Sequence, residues 1–243
     1  MNYTKADLVN KLSAIHGYRI YFEICTPTTG NMYDAIDRAR YATCHRLMYR
    51  CPAGFNDGLP IDFRSSNLDI SECVKAARAK ELKYDVILVD PFHEYEPSAR
   101  DLSEAVNLLN PIGTIIVHDC FPRDATIAVP ECIDGDWCGV TYKAYLNFVL
   151  ARKDLIFCTV DTDYGCGVIR RNVSLSTFQR IARRPLGMIA RDERGPVVKQ
   201  WMQAGKDYCA AFNLFQAHAK PLLNLVSVDE FLTGERNSSP LLR

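Results

Sequence analysis

Two short unbroken apolar runs, 86–89 and 114–117, are rich in Val and Ile. Runs of this length without polar alternation predict strands buried on both faces, as in a parallel sheet. Between them Leu102, Ala105, Val106 and Leu109 recur at helical spacing, predicting a helix over about 98–109 that Pro111 and Gly113 break. The same periodicities run along the rest of the chain. Further strands are expected at 19–25, 40–45, 61–63, 155–160 and 167–170, the last two pairing as an antiparallel hairpin around the DTDYG turn. Further helices are expected at 4–15, capped by Thr4, then at 32–38, at 69–80 behind Asp69, and at 141–152. The stretch 121–139 has no period and reads as a loop over the strand ends. From 174 onward the chain turns basic, with helical spacing over 197–218.

This alternation predicts an α/β fold: a doubly wound, mainly parallel, seven-stranded Rossmann-like sheet with an antiparallel edge hairpin. We expect residues 1–173 to form that domain, and 174–243 a helical extension packed on the core or on a partner subunit of a homo-oligomer.

Composition narrows the class. Of 243 residues, 48% are apolar and 24% charged, enough for a sizeable core, and the formal net charge is zero. That balance argues against a general nucleic-acid or anionic-membrane surface. The opening MNYTKADLVNKLSAIHGY is mixed amphipathic, without a secretory apolar core. The ten cysteines are scattered with no CxxC pair, so we expect reduced thiols in a cytoplasmic protein.

The candidate chemistry sits where the two apolar runs end. Asp90 and His93 follow the first, His118 and Asp119 the second. In an open α/β sheet, neighbouring carboxyl ends line one crevice, so these four should converge. Two carboxylates there suit a divalent cation, and a nearby imidazole can take a proton from a substrate hydroxyl near neutral pH. The plainer alternative is that both aspartates cap the following turns and both histidines are satisfied polar residues.

The stretch DPFHEYE…RDL…LLNPIGTIIVHD resembles class I S-adenosylmethionine-dependent methyltransferases, closest to metal-dependent O-methyltransferases of sugar and macrolide hydroxyls. The resemblance spans about 18–170 and is close over 83–122. It implies His93 as general base with Asp90, and Asp90, His118 and Asp119 as ligands of Mg²⁺ or another divalent metal. It also implies donor contacts from Glu23, Cys25, Gly30, His45, Ser66 and Asp90. At the donor loop Cys25 stands where the family has glycine and Pro27 removes an amide donor, while 43–46 (TCHR) carries no acid for a ribose.

The expected function is therefore metal-assisted O-methylation of a small hydroxylated metabolite or sugar unit. The alternatives are a methyltransferase-fold scaffold with an eroded donor site, or a metal-dependent hydrolase or lyase. Asp161, Asp163 and Tyr164 read as turn chemistry, Trp137 and Tyr142 as ligand cover or core, and the arginines over 180–194 as a solvated face.

Overall fold

The first helix is set by its own local sequence. Asp7 N donates to Thr4 Oγ1 and Thr4 N donates to Asp7 Oδ2, a reciprocal cap. Gly17, at φ +69°, ends the helix in the left-handed conformation. Lys5 thereby becomes its first residue.

The computed structural model describes residues 3–27, 32–172, 191–204 and 207–238. In chain order the elements are α1 (Lys5–His16), β1 (Ile20–Cys25), β2 (Thr43–Met48), β3 (Phe63–Arg64), α2 (Ser71–Ala79) and β4 (Tyr84–Val89). Then come α3 (Tyr95–Leu108), β5 (Leu109–Val117), α4 (Thr141–Ala151), β6 (Leu155–Val160) and β7 (Cys166–Arg171). Beyond the undescribed 173–190 lie α5 (Arg191–Gln203), α6 (Tyr208–Ala217), α7 (Ala219–Leu223), β8 (Leu225–Val226) and α8 (Val228–Ser238).

The strands form one sheet in the order β3-β2-β1-β4-β5-β7-β6-β8. All neighbours are parallel except β7, antiparallel to both β5 and β6. Strand order reverses between β1 and β4, the switch point where a doubly wound sheet opens its crevice. Side chains alternate across the sheet. Phe22 and Ile24 of β1 join a core with Val74 and Ala77 of α2 and Leu102, Ala105 and Val106 of α3. Tyr21 joins the opposite core with Leu8, Val9 and Leu12 of α1.

The fold class is as expected, with corrections in detail. The sheet has eight strands rather than seven, because Leu225–Val226 adds a parallel edge strand to β6. β2 starts at Thr43, three residues later than its expected start at 40. Segment 32–38 is not a helix: the Asn10 side chain donates to Ala35 O and accepts from Asp37 N, satisfying the backbone as turns. α3 starts at Tyr95, and Pro97 fits its first turn, where amide donors have no intrahelical partner. The described part of the C-terminal segment shares the main core. Trp201, Phe212, Phe215 and Leu222 are buried in the same cluster as Tyr142 of α4.

Candidate functional site

Hydrogen bonding carries the sheet ladder one residue past the strand ends. Asp90 N donates to Ile24 O at 2.9 Å, and His118 N donates to Val89 O at 3.0 Å. Asp90 is thereby fixed beside the end of β1, and His118 beside Asp90. Asp119 takes φ 57°, a left-handed conformation aspartate tolerates better than most residues. The chain then turns back so that Cys120 N and Phe121 N donate to Gly165 O and Tyr164 O. This pins the β6–β7 turn, also left-handed at Asp163 and Tyr164, against the end of β5.

Six side chains meet there. His93 Nε2 lies 3.0 Å from Asp119 Oδ2 and 3.6 Å from Asp90 Oδ1. His118 Nδ1 lies 3.0 Å from Asp119 Oδ2 and 3.4 Å from Asp90 Oδ1, and its Nε2 lies 3.4 Å from Asp163 Oδ1. The sixth is Lys5 of α1, whose Nζ donates to Asp90 Oδ2 at 2.6 Å and lies 3.2 Å from His118 Nδ1. Its backbone N donates to Asp163 Oδ2 at 2.8 Å. Lys5, Asp90, His93, His118 and Asp119 are all buried, and Asp163 is partly so.

Such a cluster persists only because opposite charges compensate desolvation. Burial alone would raise the Asp90 carboxyl, but Lys5 and His118 hold it well below the usual range. Asp119 is likewise held low against burial by His118 and His93. Burial would lower both imidazoles. The hydrogen bond and charge of Asp119 instead raise His93 to about 9, and the Asp119 and Asp90 charges raise His118. Lys5 is raised in turn, the Asp90 charge and hydrogen bond outweighing its burial. At neutral pH three carboxylates therefore face three cations. The His93 ring is oriented from outside: its Nδ1 meets the Trp137 carbonyl, which can only accept, so Nδ1 carries a proton and Nε2 faces the aspartates.

The donor side lies one strand over. Glu23 and Cys25 project from β1 and are fully buried, with Tyr21 Oη donating to Glu23 Oε2 at 2.6 Å. Burial is the main reason the Glu23 carboxyl and the Cys25 thiol are both raised. Arg46 pairs in register with Glu23, has no exposure, and sends Nη1 to Asp57 Oδ2 at 2.7 Å. Its Nε lies 3.9 Å from Glu23 Oε1, and apart from the weakly accepting Cys25 sulfur its Nε and Nη2 have no hydrogen-bond partner among the described residues.

The structure thus brings together Asp90, His93, His118 and Asp119, and places Glu23 and Cys25 at the adjoining strand end. Gly30 lies outside the described residues, as do the side chains over 180–194. The expected strand-end position of His45 is corrected: β2 runs on to Met48, so His45 lies mid-strand, bonded through Nδ1 at 2.8 Å to Tyr84 Oη of the core that Phe22 joins. The true end of β2, Met48-Tyr49-Arg50, still offers no carboxylate; Arg50 lies over the Phe92 ring. Ser66 follows β3, exposed beside the outermost strand of its half-sheet. The sequence reading missed Lys5 and undervalued Asp163. Lys5 sits in an ordinary capped helix 85 residues from Asp90, and no local pattern marks so distant a partner.

No family model matches the chain, and no curated protein does. Solved structures do. The O-methyltransferase TomG of Streptomyces achromogenes, involved in tomaymycin synthesis and solved with SAM, is 12% identical at TM-score 0.50, covering 68% of this chain and 78% of its own. A methyltransferase of Podospora anserina, PaMTH1, solved with SAH, is 14% identical at TM-score 0.44, covering 63% and 72%. A putative O-methyltransferase of Klebsiella pneumoniae is 15% identical at TM-score 0.46, covering 68% and 79%. At these identities the likeness is one of fold: this chain has the Rossmann-like fold of class I O-methyltransferases.

Proposed function

We propose that this protein is an S-adenosylmethionine-dependent O-methyltransferase of a small hydroxylated metabolite. The observation that carries the reading is the placement of His93, between Asp90 and Asp119, at the switch point of a fold shared with TomG, which was solved in complex with SAM. An imidazole held there can take the proton of a hydroxyl as its oxygen is methylated.

The donor side supports the same reading. Arg46 Nη2 is buried without an oxygen acceptor among the described residues and can meet an anionic group, while Glu23, 3.9 Å from Arg46 Nε, can meet a cationic one. The methionine end of the donor carries both a carboxylate and an ammonium. When bound, it supplies an electrophilic methyl group. The chain's own part is to exclude water, orient the hydroxyl and receive its proton at His93 Nε2. Because His93 is raised to about 9, most of it is protonated at neutral pH and only the minor neutral form acts as base.

The expected divalent ion does not fit as simply. Asp90, His93 and Asp119 each present one ligand atom, all within 4.8 Å of one another, so the spacing is adequate. On the expected set of Asp90, His118 and Asp119, however, the Lys5 ammonium already contacts the first two. Unit charges about 4 Å apart interact by about 4 kcal/mol at an effective dielectric near 20, and a divalent ion doubles that repulsion. No step is therefore routed through a metal.

The buried ion pairing also favours the scaffold alternative, and calorimetry separates the two. Titrating S-adenosylmethionine and S-adenosylhomocysteine into the protein should give one site per chain, weakened about tenfold or more by Arg46→Met. Absence of binding by both compounds, with the protein folded, would overturn the methyltransferase reading.

A further inference from the structure

We propose that Lys5 is the resident cation of this cluster: its ammonium takes the place of a divalent metal beside Asp90 and His118, and the site works without such an ion. The occupancy rests on geometry alone; its catalytic consequence rests on the methyltransferase reading above.

The contact is built rather than incidental. Lysine is almost never fully buried unless paired, yet Lys5 is 5% exposed on the inward side of its helix. Its Nζ reaches Asp90 Oδ2 at 2.6 Å, at the short end for a charge-assisted hydrogen bond, and stands 3.2 Å from His118 Nδ1. Those are two of the three residues a metal on the expected set would need.

Three further features hold the lysine in place. The Thr4–Asp7 capping box fixes the start of α1. The β6–β7 turn clamps that start from the other side: Lys5 N donates to Asp163 Oδ2 at 2.8 Å, and Thr162 Oγ1 donates to the Tyr3 carbonyl. Leu8, Val9 and Leu12 then seat the helix on the sheet with no exposure. Lys5 cannot leave Asp90 without lifting the start of α1 or swinging through packed side chains.

A tethered ammonium differs from a metal in what it can do. It neutralises Asp90 through an N–H bond to Oδ2 but has no empty coordination site, so it cannot hold a substrate oxygen as a Lewis acid does. Lys5 is therefore a positioning residue. It holds Asp90, and through Asp90 the His93 ring, while the proton transfer belongs to His93.

Mn²⁺ titration followed by electron paramagnetic resonance tests this on the 243-residue chain. Wild-type protein should leave the spectrum of the free aquo ion unchanged at millimolar Mn²⁺. Lys5→Ala should gain one site per chain, bound at least about tenfold more tightly than any wild-type site, and Asp90→Asn in that background should abolish it. Lys5→Arg should exclude the ion as wild type does. A lysine with a purely structural role would not produce this gain of binding. Should Lys5→Ala or Lys5→Met fold only in the presence of Mn²⁺, as read by circular dichroism, that rescue also supports the proposal. Wild-type binding that Asp90→Asn removes would overturn it. So would a folded Lys5→Ala that gains no site, or misfolded variants that millimolar Mn²⁺ does not rescue. Donor binding, measured by calorimetry on the same wild-type sample, reports separately on the methyltransferase reading.

Discussion

His93 carries the pH behaviour that the proposed chemistry implies. Its Nδ1–H is committed to the Trp137 carbonyl, so only Nε2 can exchange a proton with a substrate, and Nε2 is the atom facing Asp119 and Asp90. Burial opposes the charged ring, but Asp119 and Asp90 raise it to about 9. A base must be neutral to act, so kcat should climb with rising pH and level off only near that value. The same raised value stabilises the fold below about pH 6.5, and that contribution is lost as pH rises through 9. The rate gain and the stability loss therefore share one pH window. His93→Gln should cut kcat by about 10²- to 10⁴-fold and remove the rising limb. A rate–pH profile measured beside thermal unfolding would check this, and a profile unchanged in His93→Gln would contradict the assignment. These residues were legible because strand-end position is a topological rule: apolar runs locate the strands, and the residues just past them face the crevice. Asp163 and Lys5 obey no such rule. Their contacts join α1 to the β6–β7 turn across 158 residues, and only the folded chain shows them.

At the scale of elements, the loop between β5 and α4 covers His93, and its return depends on one glycine. Gly139 takes φ +56°, and a Cβ there would lie 2.1 Å from the His93 carbonyl oxygen. Val140 N donates to that same oxygen at 2.8 Å, so the loop is stitched onto the turn that carries His93. Gly139→Ala adds left-handed strain and forces the loop off His93. It should cost about 1–3 kcal/mol and lower the melting temperature by roughly 2–12 °C for a chain of this size. Activity should fall by more than the loss of folded protein explains, because Trp137, which orients the His93 ring, moves with the loop. Unfolding curves and kcat on the same preparation would separate the two effects. The sequence showed this stretch as an aperiodic loop over the strand ends and no more. The loss of helix at 32–38 has a related cause. Asn10, on another element, satisfies backbone groups that helical spacing alone would have assigned inward. Elements fixed by their own apolar period were readable, and those fixed by a distant side chain were not.

The whole molecule is closed by its C-terminal segment, through β8 and a buried ion pair. Arg170 of β7 donates through Nη1 and Nη2 to Glu235 of α8 at 2.9 and 2.8 Å, and His16 Nε2 of α1 lies 2.6 Å from the same carboxylate. Three elements distant in sequence thus meet on one buried acid. Burial would raise Glu235, but Arg170 and His16 hold it down at about 2, against an ordinary value of 4.5. A depressed carboxyl stabilises the fold above its unfolded value, and the stabilisation is lost as pH falls from about 4.5 toward 2. The linkage amounts to about 3 kcal/mol at neutral pH, since each unit is worth about 1.4 kcal/mol. Glu235→Gln should therefore lower stability at pH 7 while flattening the acid limb between pH 4.5 and 2. Urea unfolding at stepped pH measures both. Arg170→Met should be at least as costly at pH 7, because it leaves the Glu235 charge buried with a weaker partner. In the double variant the penalties should fall short of their sum, since each single change already breaks the same pair. Full additivity would mean that α8 docks through its apolar contacts, Phe231 and Leu232, and that the ion pair adds nothing to holding the C-terminal segment on the core.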